Sequence, residues 1–512
     1  MPPAGRYPRY VLAVLTLVYV FNFLDRQILS ILAERIKADL GLTDAQIGFL
    51  YGTAFAVFYA LFGIPLGRLA DVWDRRRLIA LGLTAWSMMT ALSALARSFG
   101  QLTVARIGVG IGEASANPAA YSLLSDYFPP SRRASVLGLY SSGIYIGAGI
   151  GLGIGGLIVN RWDAAFGLAP PFGLRGWQVA FMAVGFPGLL LALWVSTLRE
   201  PVRGQSEGLP DPGTHAHPFG ELGRELRAVL PPFTIVHLIL MRAGGRQVLA
   251  NLGAAATIAA LAVLLIAAVG TPAQWVALGI GLYAAVSWAQ ALALRDRPTF
   301  ALVFQTPTLR HAALGFSLLG FTGYGVGFWV PPFFIRVHGV SEAQAGFILG
   351  GTAAVTGWFG VTLGGVWSDR WRHRAPAARF YVGMFTALLP VPFLVWMLLT
   401  GSTTVAYLLN APLGILSSMW IGPGASTLQD LVLPRMRAIA SAAYLLVVTF
   451  IGLALGPYTV GRLSVAVGSL RTAMLVVLVA NALAVLFLFL ASRHLVHDEA
   501  TRLERAHRAG EP

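Results

Sequence analysis

Asp25 and Arg26 stand side by side in the middle of an apolar segment that runs from Tyr10 to Ile36. A charge at the centre of a bilayer costs roughly 2.5–3.5 kcal/mol on insertion scales unless it faces a partner or a wet cavity. Partners occur in a later apolar run, Ala105-Arg106-Ile107-Gly108-Val109-Gly110-Ile111-Gly112-Glu113. Arg106 and Glu113 are seven residues apart, which sets them on one helix face about 10 Å apart along the axis. Asp25 and Arg26 point about 100° apart on a helix, so they reach across to a neighbour more readily than to each other. Cross-pairing Arg26 and Arg106 with Asp25 and Glu113 leaves no net charge. Such a set is a switch: a proton on either carboxylate frees an arginine, whose fork geometry suits a phosphate or carboxylate. The alternative is a buried ion-pair set that only fixes helix packing.

The elements that carry these charges belong in a membrane. The chain has 512 residues, 56% hydrophobic and 12% charged, with a mean hydropathy of +0.69. A soluble domain carries about 25% charged residues. The net charge of +15 makes no continuous basic face; the arginines fall in short clusters between apolar runs. That pattern argues against a nucleic-acid partner and for positive-inside topology. With no cysteine in the chain, disulfides, thiolate nucleophiles and cysteine metal sites are excluded. His215 and His217 sit in a Pro-rich linker with no third ligand near in sequence, which speaks against a metallo-enzyme. The first apolar run is too long for a cleavable leader and reads as the first span.

At about 20 apolar residues per span, spans are expected near 10–35, 45–70, 78–97, 102–127, 134–159 and 177–198. Six more fall near 309–335, 343–367, 379–400, 404–430, 438–461 and 472–493. Between the two sets lie a polar linker, an amphipathic stretch over 219–242 expected to lie along the headgroups, and two further runs, Leu252–Val269 and Trp275–Leu294. The expected domains are 1–198, a linker with an extra helix pair at 199–298, 299–493, and a tail at 494–512. Arginine clusters at 75–77, 132–133, 199–227, 295–310, 370–374 and 435–437 share one side if both termini are inside and the extra runs cross as a pair.

Thr43-Asp44-Ala45-Gln46-Ile47-Gly48-Phe49-Leu50-Tyr51-Gly52 matches Ser341-Glu342-Ala343-Gln344-Ala345-Gly346-Phe347-Ile348-Leu349-Gly350 at an offset of 298. The same offset carries Gly67 and Asp71 onto Gly365 and Asp369. Two six-span halves in parallel repeat describe a class of secondary transporter. Gly67-Arg68-Leu69-Ala70-Asp71-Val72-Trp73-Asp74-Arg75-Arg76-Arg77 resembles the loop 2–3 signature of the major facilitator superfamily. Gly365-Val366-Trp367-Ser368-Asp369-Arg370 resembles its weaker second copy. The resemblance implies an all-α membrane fold of two six-helix bundles. It also implies a cytoplasmic gate at Gly67, Asp71, Arg75, Arg76, Gly365, Asp369 and Arg370, with the glycines allowing close approach and Asp71 pairing with arginine. Glycines at 143, 147, 149, 151, 153, 155 and 156, and Gly452, Gly456, Pro457 and Gly461, loosely resemble the antiporter-associated motif. Helix packing explains them at least as well.

The second half has no counterpart to the charged set; Asp25 and Arg26 fall on Gly323 and Tyr324. Aromatics crowd its first span instead, with Phe321, Tyr324, Phe328 and Trp329, and Asn410 and Trp420 follow later. A charged wall opposite an aromatic one suits an amphipathic anion. The Asp25-Arg26 pair, the Arg106/Glu113 spacing and the Gly112-Glu113-Ala114-Ser115 run are similar to the spinster (Spns) branch. That resemblance implies transport of lysophospholipids or sphingoid phosphates, with Asp25 and Glu113 coupling protons and Arg26 and Arg106 as charge partners. A small organic acid or a drug is the alternative cargo; many hydrogen-bond donors in place of apolar volume would favour it. A membrane sensor without transport is the alternative of another class. The expectation is a monomer in the inner membrane, with no cofactor besides protons and no enzymatic activity.

Overall fold

The computed structural model describes residues 5–167, 169–207 and 217–511; His215 lies outside them. All regular structure among the described residues is helical. The first half holds α1 (Arg6–Leu40), α2 (Asp44–Tyr51), α3 (Thr53–Val72), α4 (Arg75–Ser93), α5 (Phe99–Glu113), α6 (Ala116–Tyr127), α7 (Pro130–Phe166) and α8 (Gly176–Ser196). The middle holds α9 (Pro218–Val229), α10 (Phe233–Leu240), α11 (Gly245–Val269), α12 (Pro272–Arg295) and α13 (Arg297–Gln305). Then follow α14 (Pro307–His338), α15 (Glu342–Arg372), α16 (Ala378–Leu388), α17 (Pro390–Leu399), α18 (Thr403–Ser418) and α19 (Ile421–Leu431). The chain ends with α20 (Arg437–Val447), a π-helical stretch (Val448–Ala454), α21 (Leu455–Val467), α22 (Leu470–Val476), α23 (Val479–Ala500) and α24 (Arg502–Arg508).

Twelve helical runs among the described residues are long and apolar enough to cross a bilayer, α11 and α12 among them. The protein is a multi-pass membrane protein. α4 and the α5–α6 pair stand outside that count: α4 opens on three arginines, and α5 ends after 15 residues at Glu113. The amphipathic stretch is two helices, α9 and α10, and not one over 219–242. Pro231 and Pro232 lack the amide donors that a continuous helix would need there.

Contacts gather into two compact units. The first comprises Met1–Leu42, Phe58–Leu226 and Phe334–Ala354. Its main seam is α1 against α7. Gly143, Gly147, Gly151 and Gly155 recur every fourth residue on one face of α7. A methyl group on Gly143 would lie 3.1 Å from the Thr16 carbonyl oxygen, and one on Gly151 2.8 Å from that of Leu24. Only hydrogen fits between these backbones. Gly149, Gly153 and Gly156 look the other way, toward the start of α15, which belongs to this unit. The seven glycines are thus two packing faces. α4 meets α5 the same way: a methyl group on Gly82 would lie 2.8 Å from the Gly112 carbonyl oxygen, and one on Gly112 2.8 Å from the Trp86 amide nitrogen.

The second unit comprises Thr43–Val57, Arg227–Phe333 and Val355–Pro512. Here α2 lies on α21. A methyl group on Gly48 would meet Pro457 carbon at 2.8 Å, and one on Gly52 the Leu453 oxygen at 2.7 Å. A π-helical stretch, Val448–Ala454, lies just before Gly456-Pro457. α11 and α12 form an antiparallel pair held by a buried polar chain: Thr234 to Tyr283 at 2.9 Å, Tyr283 to Asn251 at 2.7 Å, and Asn251 to Ser287 at 3.0 Å. Buried Gln274 at the start of α12 accepts from Thr53 at 2.7 Å.

Candidate functional site

The first unit brings Asp25, Arg26, Arg106 and Glu113 into one buried cluster. Asp25 is 1% exposed, and Arg106 and Glu113 are fully buried. The close α4–α5 seam carries Arg106 and Glu113 inward, and the α1–α7 seam fixes Asp25 and Arg26 in front of them. The Arg26 Nε donates to Glu113 Oε2 at 2.7 Å. Its guanidinium also lies 4.8 Å from the ring centres of both Phe23 and Tyr59, a cation–π sandwich. Arg106 acts electrostatically on both Asp25 and Glu113. Asp25 finds its hydroxyl donor on α4 and not on the fourth span: Thr90 Oγ1 donates to Oδ2 at 3.2 Å. Its Oδ1 is buried and has no hydrogen-bond partner among the described residues.

Beside this cluster stands a group that sequence reasoning missed. Tyr140 donates to Asn117 Oδ1 at 2.9 Å, while the Asn117 amide donates to Tyr19 and Tyr59 at 3.3 Å each. The Tyr19 and Tyr140 rings stack 4.5 Å apart, and Tyr121 meets Tyr140 edge-on. The residues come from α1, α3, α6 and α7, so no spacing along the chain reveals them. Asn117-Pro118 inside an apolar run was the available signal.

The aromatic candidates all belong to the second unit, in unequal settings. Trp329 is fully buried and donates from Nε1 to the Pro457 carbonyl at 2.9 Å. Phe328 is buried against Tyr51, with ring centres 4.2 Å apart. Trp420 stacks on Phe316. Phe321 and Asn410 are half-buried, and Tyr324 is exposed. Phe328, Trp329 and Trp420 therefore pack inside the unit, and Phe321, Tyr324 and Asn410 keep open surface.

The first gate motif is anchored at Arg75. This fully buried side chain donates to Glu200 at 2.6 Å, to Ser122 at 2.9 Å and to Asp126. Arg76 donates to the Leu198 carbonyl at 2.6 Å. Asp71 is exposed and its approach to arginine is loose, 3.9 Å from Arg68. A methyl group on Gly67 would touch Pro118 at an ordinary 3.8 Å, and one on Gly365 would meet nothing. The close approach expected of these two glycines occurs instead at Gly360 and Gly364, which face Ile415 and Met419. In the second copy Asp369 and Arg370 are exposed. Ion pairs there run from Arg379 to Asp430 at 2.5 Å, and from Arg372 to Asp430 at 3.0 Å and to Glu499 at 3.7 Å. Asp126, Glu200 and Asp430 were legible only as lone acids near arginine clusters. α9 rests on the first motif, through Phe219 on Trp73 and Glu221 at 3.5 Å from Arg68.

Membrane-length helices, a duplicated helix motif and a buried acid–arginine cluster define a secondary-transporter class. The family model described as Major Facilitator Superfamily matches residues 15–457. The chain belongs to that superfamily, in its spinster-like branch. A crystal structure described as a bacterial homolog to human lysosomal transporter, spinster, in an inward-facing and unoccupied conformation, is 28% identical with a TM-score of 0.72 and covers 96% of this chain and 98% of its own. An MFS-type efflux pump of Mycolicibacterium smegmatis is 27% identical over 88% of this chain and 83% of its own length. The hexuronate transporter of Bacillus subtilis is 32% identical over 37% of this chain and 42% of its own length.

Proposed function

We propose that the protein is a proton-coupled transporter of an amphipathic anion, of the lysophospholipid or sphingoid-phosphate kind, working by alternating access. The observation that carries this reading is the sealed cluster of Asp25, Arg26, Arg106 and Glu113. A buried carboxylate is satisfied either by a cation or by a proton. Asp25 has one hydroxyl donor and the charge of Arg106 to balance it. When Asp25 or Glu113 takes a proton, an arginine is released for the anionic head of the cargo. The spinster-like branch supplies the lipid part of the reading. Arg75, Arg76 and the motif around them form the cytoplasmic gate, with both termini on the cytoplasmic side of the inner membrane and the single chain as the working unit.

A second reading keeps the machine and changes the cargo to a hydroxylated organic acid. The Tyr19–Asn117–Tyr140 cluster beside Arg26 favours it, since it offers hydroxyl and amide groups where an acyl tail needs apolar surface. The burial of Phe328, Trp329 and Trp420 favours it too, as does the hexuronate relative. The test is proteoliposomes loaded with a pH-sensitive dye. Lysophospholipid or sphingoid phosphate should drive proton movement in the intact protein and fail to do so in Asp25→Asn. Proton movement with a hexuronate and none with lipid selects the second reading. Full pH-driven transport by Asp25→Asn rejects the proton switch for either cargo.

A further inference from the structure

At the end of α12 the chain leaves its apolar span at Arg295, turns through Asp296 and enters α13. α24 lies against α13. Between them opens a cavity of about 460 Å³, lined by Arg297, Arg505 and Arg508 with Ala293, Phe300 and Pro307, and by no acidic residue. Three guanidinium groups beside an aromatic and aliphatic lining are the chemistry of a phosphodiester head with hydrocarbon attached.

The cavity is built, not incidental. Arg505 is held by Thr306 at 2.5 Å and by the Asp498 carbonyl at 2.8 Å, and its Nε is buried without a hydrogen-bond partner among the described residues. α24 is held from outside by Arg435, which pairs with Asp296 at 2.8 Å and with Glu511. The acids nearest in sequence are already engaged, Asp296 and Glu511 by Arg435, Glu499 by Arg372, Asp498 by Thr308, and Glu504 by Arg508, which therefore meets the cavity with its charge shared. Leu294 and Leu503, on the two helices that flank the cavity, stay exposed. The arginine distribution puts this end of the helices inside, where the leaflet presents anionic headgroups.

The geometry points to an anionic phospholipid site on the second unit, formed by Arg297, Arg505 and Arg508, separate from the buried Asp25–Glu113 cluster. Its occupant is a diacyl phosphodiester lipid of the surrounding leaflet. The site does not rest on the cargo reading, because lipid retention is measured without transport.

The test is native mass spectrometry of the full chain from detergent, with phosphatidylglycerol or phosphatidylcholine of matched acyl chains. The intact protein should retain phosphatidylglycerol preferentially. The Arg297→Ala/Arg508→Ala variant removes two exposed side chains and should weaken that retention about 30-fold. Retention that is equal for the variant, or equal for the two lipids, overturns the proposal. Should the variant fold poorly, a salt titration of the intact protein decides: retention must fall as salt rises. Millimolar inorganic phosphate that stabilises the protein as well as the lipid does would assign the site to the free ion and overturn the lipid occupant.

Discussion

The two copies of the repeated motif agree in backbone and differ in charge. Both open on a hydroxyl cap: Thr43 accepts from the Gln46 amide at 3.3 Å, and Ser341 from the Gln344 amide at 3.2 Å. Both then lay a Gly-x-x-x-Gly face on a neighbour, Gly48 and Gly52 on the 453–458 segment in one unit, and Gly346 and Gly350 on the 149–153 segment in the other. Their acids part company. Asp44 is buried and accepts from Ser464 at 2.8 Å. Glu342, its equivalent, is equally buried but takes an ion pair, from Arg35 at 2.6 Å, whose own side chain is 45% exposed. The opposite ends diverge further. Near the first gate motif a fully buried Arg75 binds two acids; near the second, partly exposed Arg372 and Arg379 share Asp430. Duplication has kept what sets the spacing of backbones and left the charges to specialise.

The largest test of that contrast is steric. Gly48→Leu and Gly346→Leu should each destabilise by about 3 kcal/mol or more, because the new side chain meets backbone that cannot step aside. Thermal unfolding in detergent should rank them together; a tolerant Gly346→Leu would break the parallel. Next in size is the buried anchor. Arg75→Ala strands Asp126 and Glu200 and should cost about 3–5 kcal/mol. Arg379→Ala leaves a carboxylate that water and Arg372 still reach, and should cost about 1–3 kcal/mol. Equal losses would show that the two inner ends are held alike. Arg35→Ala removes the half-exposed partner of a buried Glu342 and should cost about 1–3 kcal/mol, and no measurable drop would mean that Glu342 is satisfied without it.

The smallest effect is a pH signature at Asp296. Burial alone would push its carboxyl up, but hydrogen bonds from Arg435 and Thr299 outweigh it and hold the group below its ordinary range. A depressed carboxyl contributes stability that is full above the unfolded value, about 3.9, and is lost as pH falls through the folded one. The melting difference between the intact protein and Asp296→Asn should stay level from neutrality down to about pH 4 and close below it. A difference that closes near neutrality would remove Asp296 from the staple.

Much of this architecture was legible in the chain. An offset of 298 is enough to find the repeat, and two charges inside an apolar run are enough to find the cluster, because membrane burial makes charge expensive and therefore informative. The partners were less legible. Thr90 and the Tyr19–Asn117–Tyr140 group reach the site from different helices, and hydroxyls in apolar runs are too common to single out. The aromatics of α14 were unevenly legible for a related reason. Phe328 and Trp329 are neighbours of exposed Gly327 and Tyr324, and composition says nothing about which face of a helix is covered. The α7 glycines were legible as packing residues, and the four-residue spacing of Gly143, Gly147, Gly151 and Gly155 places four of them on one tight seam.

That seam has a mechanical consequence. Between α1 and α7 the touching surfaces are largely main chain, with few rotamers that could adjust to sliding. The two helices behave as one lever. Any displacement of the segment that carries Asp25 and Arg26 must take α7 with it, so a change of charge at the cluster is felt along the full length of both.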